Sequence, residues 1–594
     1  MYITGTPFRL SVEETATTTT TRQPHLSHCG TVLLHLDRHT NEQTHTHTQG
    51  NRLAETMAIS VVNGLNLFAV VVGGLNLVRP AQSFLAPSLT TSRPRQSLLR
   101  MARQKYNPFS TMFGDMAASL VGGNKGSSNP AVDASLASMG LPWEDVSSLL
   151  HSKQTANERK FRDDLDMGYG PASPLHKLRL YDKSNKEDDV RVVFYRDSAS
   201  WCPYCQKVWI TLEEKRIPYR IEKVSMRCYG DKPPSFMAMQ PSGQIPVAKI
   251  DGRVYGQSND IIYAVEQLFP QHKSLSPPKG KEMEAQQLLR LERTIFSAWM
   301  YWLTGSRDPE RYRQEFIGTL NDVEDALKAM GGPFFMGKQM TMVDIQFAPF
   351  LERMAASLLY FKGFQMRVPP GTKTDFPNLN KWFDAMEKHE SYTLTKSDYY
   401  THCWDLPPQL GGCTYEQTGE IFEKAINGER SVDGTQGSWE LPLQPHNGGI
   451  EPDWTWVGDE AAAKREAAER LTANHDAITR FAARGAGKKG IPAYSAPLAD
   501  PNAVPNDAMV VAVEAALRVV SMALLDGTKK HESTMKEMAA TMRDGGGKDF
   551  VDGVVASLAY LRDRVGVPRD MRLPAARQLR AHLNWAIGFL LEEA

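Results

Sequence analysis

Val190-Arg191-Val192-Val193-Phe194-Tyr195 is an apolar run that ends shortly before Trp201-Cys202-Pro203-Tyr204-Cys205. Its β-branched and aromatic residues predict a strand, and the apolar spacing from Gln206 to Lys215 predicts a helix. Cys202 therefore lies where a strand turns into a helix, beside unpaired backbone N–H groups and the positive end of the helix dipole. Both features stabilise a thiolate, so we expect Cys202 to be a reactive thiol. Pro203 suits the first helical position, where no N–H is needed.

The residues that follow predict the rest of a small α/β domain. Tyr219 to Val224 alternates like a second strand, and Asp251-Gly252 joins two short runs into a hairpin, Val247–Ile250 and Arg253–Tyr255. A further helix, capped by Ser258, should run to Leu268. The predicted order of strand, helix, strand, helix, hairpin, helix is the thioredoxin-like topology. A Cys-x-x-Cys at the first strand-to-helix junction of such a unit indicates redox chemistry.

Structural zinc binding is the alternative interpretation of the Cys-x-x-Cys motif. It would need a second pair of Cys or His residues at ligand spacing. The remaining cysteines form no other Cys-x-x-Cys; they are Cys29, Cys228, Cys403 and Cys413. We therefore favour redox or glutathione chemistry and predict no metal.

Several motifs in this segment together resemble one known family. They are the Cys202–Cys205 motif, Lys232-Pro233, the run Gln240-Pro241-Ser242-Gly243-Gln244-Ile245-Pro246-Val247, and Gln257-Ser258. The segment is similar to the N-terminal domain of the glutathione transferase superfamily, in its cysteine-type branch. The resemblance implies that the protein binds glutathione.

The resemblance also assigns roles in glutathione binding. It implies a cis bond before Pro246 and backbone pairing between Ile245 and the cysteinyl part of glutathione, a small case of strand addition. Ser258 would receive the γ-glutamyl carboxylate at a helix N-terminus, and Lys232 would hold the glycyl carboxylate. The family often has Glu-Ser where this chain has Gln257-Ser258. Gln257 can still accept a hydrogen bond from the γ-glutamyl ammonium, but without a charge.

An all-helical segment follows from about residue 280 to residue 400. Periodic apolar residues predict a helix from Glu282 to Leu303, and further helices near 311–330, 341–360 and 378–387. Thr341 and Asp344 form an N-capping box with Asp in place of Glu. In this position the box resembles that of the glutathione transferase C-terminal domain. Trp299, Tyr301 and Trp302 either line an acceptor pocket or pack in the core, and we favour the core. We therefore predict an α/β thioredoxin-like domain (190–272) followed by an all-α domain (280–400).

The chain continues well past these two domains. Residues 411–457 contain Gly, Pro and Trp and predict a linker, whereas residues 458–594 hold long helical patterns and predict a separate all-α bundle. Such an extension resembles the iota class of glutathione transferases from photosynthetic organisms. The matching runs are 560–571 and 574–580. The resemblance does not imply a function for the extension.

The N-terminal residues predict targeting rather than a domain. Residues 1–56 contain a threonine run and a Thr-His repeat and are expected to be a non-native leader or a disordered tail, with the true start at Met57. Residues 57–83 have the apolar centre of a signal peptide, and residues 84–114 have no Asp or Glu, as in transit peptides. Phe84 at their junction resembles the bipartite signals of algae with secondary plastids. We therefore expect import into the plastid stroma, with secretion alone as the alternative. Residues 115–189 predict a linker with short helices.

Length and charge exclude some classes of function. The chain has 594 residues, which predicts three or four domains at about 150 residues each. Lys plus Arg and Asp plus Glu are equal at 68 each, which argues against nucleic-acid binding. No apolar run is long and isolated enough for an internal membrane span. We leave open whether the protein forms a homodimer.

The residue type at the active position selects the chemistry. A Ser or Tyr there would stabilise the thiolate of glutathione for conjugation, whereas a cysteine is itself the nucleophile. We therefore predict a glutathione-dependent thiol transferase or reductase that uses Cys202. Its partners would be glutathione and a glutathionylated protein, a disulfide or a small oxidised acceptor such as dehydroascorbate. Cys205 either resolves the intermediate or is a buried bystander.

Three other functions stay open at this point. The protein could be a non-catalytic binder of glutathione or an apolar ligand, with the extension docking a partner. It could also be a conjugating transferase, or a dithiol–disulfide oxidoreductase that does not use glutathione. The presence of Cys202, Lys232 and Ser258 together argues against a pure carrier.

Overall fold

A computed structural model describes residues 129–429, 432, 436–452, 459–494 and 496–592 of the chain. The expected leader, signal peptide and transit peptide, at 1–56, 57–83 and 84–114, lie outside the described residues.

In the part of the chain that the structure describes, four helices precede the sheet: α1 (Pro130–Ser138), α2 (Trp143–Lys153), α3 (Ala156–Arg159) and α4 (Phe161–Asp166). The segment 115–189 was expected to be a linker with short helices. The apolar faces of α1 and α2, however, belong to the same core as the C-terminal extension. Trp143 at the start of α2 also stacks on the ring of His475 in the extension. The first two helices are therefore structurally part of the extension.

The sheet has five strands: β1 (Leu178–Arg179), β2 (Val192–Asp197), β3 (Tyr219–Val224), β4 (Val247–Ile250) and β5 (Arg253–Tyr255). Their spatial order is β1-β3-β2-β4-β5. β2 runs parallel to β3 and antiparallel to β4. β2, the strand predicted from Val190 to Tyr195, starts two residues later than predicted and continues to Asp197. The hairpin of β4 and β5 has the predicted bounds. β1 was not predicted.

Three helices complete this domain: α5 (Pro203–Lys215), α6 (Pro234–Met239) and α7 (Ser258–Leu268). α5 begins at Pro203 rather than at Gln206, because proline can occupy the first helical position and the apolar pattern becomes visible only later. The thioredoxin-like topology predicted from the sequence is confirmed. Its β2–α5 junction places the cysteines at the carboxyl end of the central strand.

The helical domain that follows contains α8 (Glu282–Thr304), α9 (Pro309–Ala329), α10 (Met342–Lys362), α11 (Pro377–Met386), α12 (Glu390–Thr393) and α13 (Tyr399–Leu410). α10 is buried along its whole length and lies at the centre of the domain. Its N-terminus carries the predicted capping box, in which the carboxylate of Asp344 accepts from the backbone of Thr341. The four predicted helices are confirmed with ends shifted by one or two residues.

The described residues between 411 and 452 contain more regular structure than the linker that we expected for 411–457. They include α14 (Glu420–Ile426) and α15 (His446–Gly449). The ring of Trp439 is buried and packs edge-on against Tyr400 of α13. The carbonyl oxygen of Trp439 also accepts from the side-chain amide of Asn584 in the extension at 3.2 Å, so this segment contacts both the helical domain and the extension.

The extension consists of α16 (Glu460–Thr472), α17 (His475–Ala482), α18 (Val510–Asp526), α19 (Glu532–Arg562) and α20 (Leu573–Leu591). α19 is one element with a break at Gly547, where φ is 72°. α18 is long and apolar enough to cross a membrane, but most of it is buried in the bundle. The all-α extension is confirmed.

Candidate active site

Cys202 is the N-cap residue of α5, so its side chain lies at the amino end of that helix. The residue is 6% exposed. Its Sγ lies 4.0 Å from the carbonyl oxygen of Ile245. The Ile245–Pro246 peptide bond is cis, as the resemblance implied. The structure therefore places the predicted nucleophile beside the backbone that was predicted to pair with glutathione.

Cys205 lies one turn inside α5 and is 2% exposed. Burial, followed by a hydrogen bond to Cys202 and the charge of the Cys202 thiolate, raises the pKa of Cys205 well above its usual value. Cys205 therefore stays protonated near neutral pH, with its S–H available to donate to a thiolate at Cys202. This arrangement places a buried, protonated thiol directly beside Cys202.

Asp197 is a third group at the site, and it belongs to none of the motifs identified in the sequence. It ends β2, is 1% exposed, and one carboxylate oxygen accepts from the backbone N–H of Trp201. A carboxylate oxygen and the two sulfurs of Cys202 and Cys205 all lie within 4.8 Å of one another. These three donors are one fewer than the four ligands of a structural zinc site.

Two lysines add positive charge near the thiol. Burial lowers the pKa of Lys207 to about 7, opposed by the charges of Glu292 and Cys202. Burial also lowers the pKa of Lys232, again opposed by the charge of Cys202. Both side chains therefore lie close enough to Cys202 for their charges to interact with its sulfur. Lys207 was not predicted; it extends from α5, five residues after the nucleophile.

The predicted glutathione-binding residues occupy two parts of the domain. Lys232 lies near Cys202 and donates from Nζ to the carbonyl of Ser225 at 2.6 Å. Ser258 is the first residue of α7 rather than its cap, and Gln257 is the N-cap without a side-chain capping bond. The side chain of Gln257 is therefore not used for capping, and the first turn of α7 presents backbone N–H groups suited to a carboxylate. The structure brings Ile245 and Lys232 to Cys202.

Trp201, the residue before Cys202, is held in place by a residue of the helical domain. Arg353 of α10 donates to its carbonyl oxygen at 2.6 Å. The same guanidinium binds Gln206 at 2.9 Å and Glu352 at 3.1 Å, and Glu352 also contacts His402 at 3.1 Å. This buried polar network links the helical domain directly to the backbone of the Cys-x-x-Cys motif. Its members have no sequence motif that would have selected them.

The aromatic residues between the domains have mixed roles. Tyr204, in the Cys-x-x-Cys motif, packs edge-on against Phe350 of α10. Trp299 and Trp302 are fully buried and donate to Ser357 and Glu416, both at 2.9 Å. The two tryptophans thus pack in the core, as we favoured. Tyr301 is exposed and is no part of that core.

Known proteins match the region that contains this site. The sequence matches the glutathione S-transferase N-terminal domain over residues 201–268 and the glutathione S-transferase C-terminal domain over residues 310–385. It is 30% identical over 207 residues to the probable glutathione S-transferase DHAR1, cytosolic, of Oryza sativa subsp. japonica, which covers 34% of this chain and 88% of the relative. The chloroplastic glutathione S-transferase DHAR3 of Arabidopsis thaliana is 28% identical over 197 residues, which are 33% of this chain and 69% of the relative.

A solved structure is also similar. The dehydroascorbate reductase of Chlamydomonas reinhardtii aligns at 22% identity with a TM-score of 0.30, over 36% of this chain and 94% of its own. On the strength of the rice relative and the two matched domains, the chain belongs to the glutathione S-transferase family.

Proposed function

We propose that the protein is a glutathione-dependent thiol transferase that reduces mixed disulfides, with Cys202 as the nucleophile. The observation that carries the proposal is the placement of Cys202 at the N-cap of α5, with the carbonyl of Ile245 4.0 Å from its sulfur and a buried, protonated Cys205 behind it. The N-terminus of a helix is a common position for reactive cysteines in proteins. A thiolate is the form of cysteine that attacks disulfides.

The first half of the reaction transfers glutathione to the enzyme. The Cys202 thiolate attacks the glutathione sulfur of a mixed disulfide, so that a new sulfur–sulfur bond forms as the old one breaks. The acceptor leaves as a thiolate and takes up a proton to become a thiol. In this step Lys232 and the first turn of α7, with Ser258, would bind the two carboxylates of glutathione.

The second half regenerates the enzyme. A second glutathione, as its thiolate, attacks the glutathione sulfur of the enzyme-bound disulfide, releases glutathione disulfide and restores the Cys202 thiolate. The buried, neutral thiol of Cys205 is a poor competitor for this step, because a thiol must be ionised to attack. We therefore assign Cys205 a supporting role and free glutathione the resolving role. With a small acceptor such as dehydroascorbate, the thiols of Cys202 and of one glutathione would together supply two electrons and two protons, which reduces the acceptor and leaves Cys202 as the mixed disulfide with glutathione; a second glutathione would then regenerate the enzyme as above.

Mass spectrometry after treatment with glutathione disulfide tests these roles. The Cys205→Ser variant should gain one glutathione, on Cys202, and should keep most of the glutathione-dependent reductase activity. The Cys202→Ser variant should gain none at this site and should lose that activity. Full reductase activity in Cys202→Ser would refute the assignment and would favour a binding protein. The new hydroxyl could instead support weak conjugation.

We also propose that the protein functions in a plastid. The acid-free segment 84–114 behind an apolar segment supports import, and one relative is described as chloroplastic. N-terminal sequencing of the protein from isolated plastids should find a mature start beyond Lys105. A start before Phe84 would contradict the proposal.

A further inference from the structure

The extension contacts the active-site motif directly, at Trp201. This side chain has no exposed surface, and its indole N–H donates to the carbonyl of Val567 at 3.1 Å. The guanidinium of Arg569 lies over its ring, 4.7 Å from the centroid. At Gly566 the approach is so close that a Cβ atom would lie 2.4 Å from Cζ2 of the indole. Trp201 thus packs against three residues of one loop of the extension: Gly566, Val567 and Arg569.

That loop, residues 564–570, is held rigidly by its own hydrogen bonds. The N–H of Gly566 donates to the carboxylate of Asp570 at 2.8 Å, and the N–H of Asp570 donates back to the Gly566 carbonyl at 2.9 Å. Arg569 forms an ion pair with Asp570 at 2.8 Å. Thr401 of α13 accepts from the N–H of Val567 at 3.2 Å. The loop is therefore a fixed surface against which the indole rests.

A displacement of the Trp201 indole would also displace Cys202, because the two residues are adjacent in the chain. The backbone N–H of Trp201 is bound by Asp197, and its carbonyl is bound by Arg353. Both of those partners lie outside the extension, so the backbone of Trp201 is fixed from one side and its ring from the other. Cys202 follows one peptide bond later, with its sulfur 4.0 Å from Ile245.

A second contact brings the extension to the glutathione side of the site. Tyr494, in the loop between α17 and α18, lies beside Asp231: burial, followed by the neighbouring carboxylate of Asp231, raises the pKa of the tyrosine hydroxyl. Asp231 directly precedes Lys232, the residue assigned to the glycyl carboxylate of glutathione. The extension therefore reaches the thioredoxin-like domain both behind the nucleophile and beside the glutathione-binding lysine.

We propose that the extension is a working part of the thiol site: the loop 564–570 sets the position of the Cys202 sulfur through Trp201, and Gly566, Val567 and Arg569 are positioning residues for thiol transfer. The part of this inference that concerns thiol transfer rests on the proposed function. The reactivity of the Cys202 thiol can be measured without glutathione, so the positioning role and the proposed function can be refuted separately.

The test adds one methyl group against the indole. Gly566→Ala should displace the ring and lower both kcat and the rate at which iodoacetamide alkylates Cys202 by about tenfold, since small misplacements of a reacting group have large effects on rate. The KM for glutathione should change less than twofold, because the glutathione-binding residues do not move. Gly588→Ala is the matched control in α20, where an added Cβ meets nothing within 4 Å. It should leave both rates unchanged.

A double variant separates positioning from general damage to the fold. Trp201→Phe removes the indole atom that the new methyl group would strike, so Gly566→Ala made in that background should lower the two rates less than about twofold. Arg569→Leu removes the guanidinium without adding bulk and should lower the same two rates, whether or not Gly566→Ala folds.

Two results would overturn the inference. One is a folded Gly566→Ala protein whose kcat and alkylation rate equal those of Gly588→Ala. The other is an Arg569→Leu protein with wild-type rates. If the wild type shows no glutathione-dependent reduction, the proposed function fails, and the alkylation rates still decide whether the extension positions Cys202.

Discussion

Arg580 of α20 forms the most completely buried ion pair between the extension and the helical domain. Its guanidinium lies 2.6 Å from the carboxylate of Asp398, and both side chains are 1% exposed. A second guanidinium nitrogen donates to the carbonyl of Val565 at 2.6 Å. The same group lies over the rings of Tyr400 and Trp439, at 4.6 and 4.9 Å from the centroids.

The Arg580→Met substitution leaves a buried carboxylate without its cation. Removing one partner of a buried ion pair costs about 3–5 kcal/mol, and an unpaired buried carbonyl costs about 1–3 kcal/mol. The methionine recovers part of the apolar packing, and the carbonyl of Val565 can relax, so we expect the free energy of unfolding to fall by about 3–5 kcal/mol.

The Asp398→Asn substitution removes the negative charge of the same ion pair. Asp398 also caps α13 by accepting from the N–H of Thr401, and asparagine keeps that function. In the double variant no buried charge is left unpaired. We therefore expect it to be more stable than the sum of the two single changes predicts, by at least about 1 kcal/mol.

Urea unfolding followed by circular dichroism measures these differences, provided that the extension and the helical domain unfold in one transition. Activity against a mixed disulfide, measured under native conditions, shows whether loss of the Val565 contact also reaches Cys202. A loss below about 1 kcal/mol in Arg580→Met, or strict additivity in the double variant, would refute the reasoning.

Three further predictions concern other parts of the molecule. Lys232→Ala and Ser258→Ala should each weaken glutathione binding by about 1.5–3 kcal/mol without unfolding the protein; isothermal titration would contradict this if the affinity stayed within about twofold. Burial raises the pKa of Asp405 to about 7. Between about pH 4 and pH 7 the folded protein therefore keeps a proton on Asp405 that the unfolded chain has released. The free energy of unfolding should accordingly fall as the pH rises from about 4 to about 7. Asp405→Asn keeps an acceptor for the hydroxyl of Tyr229 and should become more stable relative to wild type by a few kcal/mol between pH 5 and pH 8; parallel urea-unfolding results at the two pH values would contradict it. Thr341→Ala should cost about 1 kcal/mol through loss of the capping box, whereas Thr341→Ser should cost less, as measured by thermal unfolding.

Short-range sequence signals explain why the strands and helices of the thioredoxin-like domain could be predicted to within a few residues. The Asp251-Gly252 turn fixes the hairpin, and Pro203 marks the start of α5. Such signals depend on neighbouring residues only, so one sequence is enough to see them. β1 was missed because two residues are too few to show an alternating pattern.

The parts of the site that escaped prediction depend on long-range contacts. The indole of Trp201 and the carbonyl of Val567 are 366 positions apart, and no local pattern announces that they meet. Asp197 is an ordinary acidic residue until the fold places it among two thiols. Lys207 belongs to no sequence motif, yet it is buried beside the thiols. In each case the environment that gives the residue its chemistry comes from another element.

The sharing of one apolar core by α1, α2 and the extension constrains the order in which the protein can form. Arg518 of α18 bonds to the carbonyl of Leu141, across 377 positions of chain. On the ribosome the first helices emerge long before their partners, whereas the two central domains can fold in between. Until α16, α18 and α19 are made, the apolar faces of α1 and α2 lack the helices that cover them and are a target for chaperones. A chain cut short before α18 would therefore carry two exposed apolar surfaces, at opposite ends of its sequence, and would be prone to aggregate.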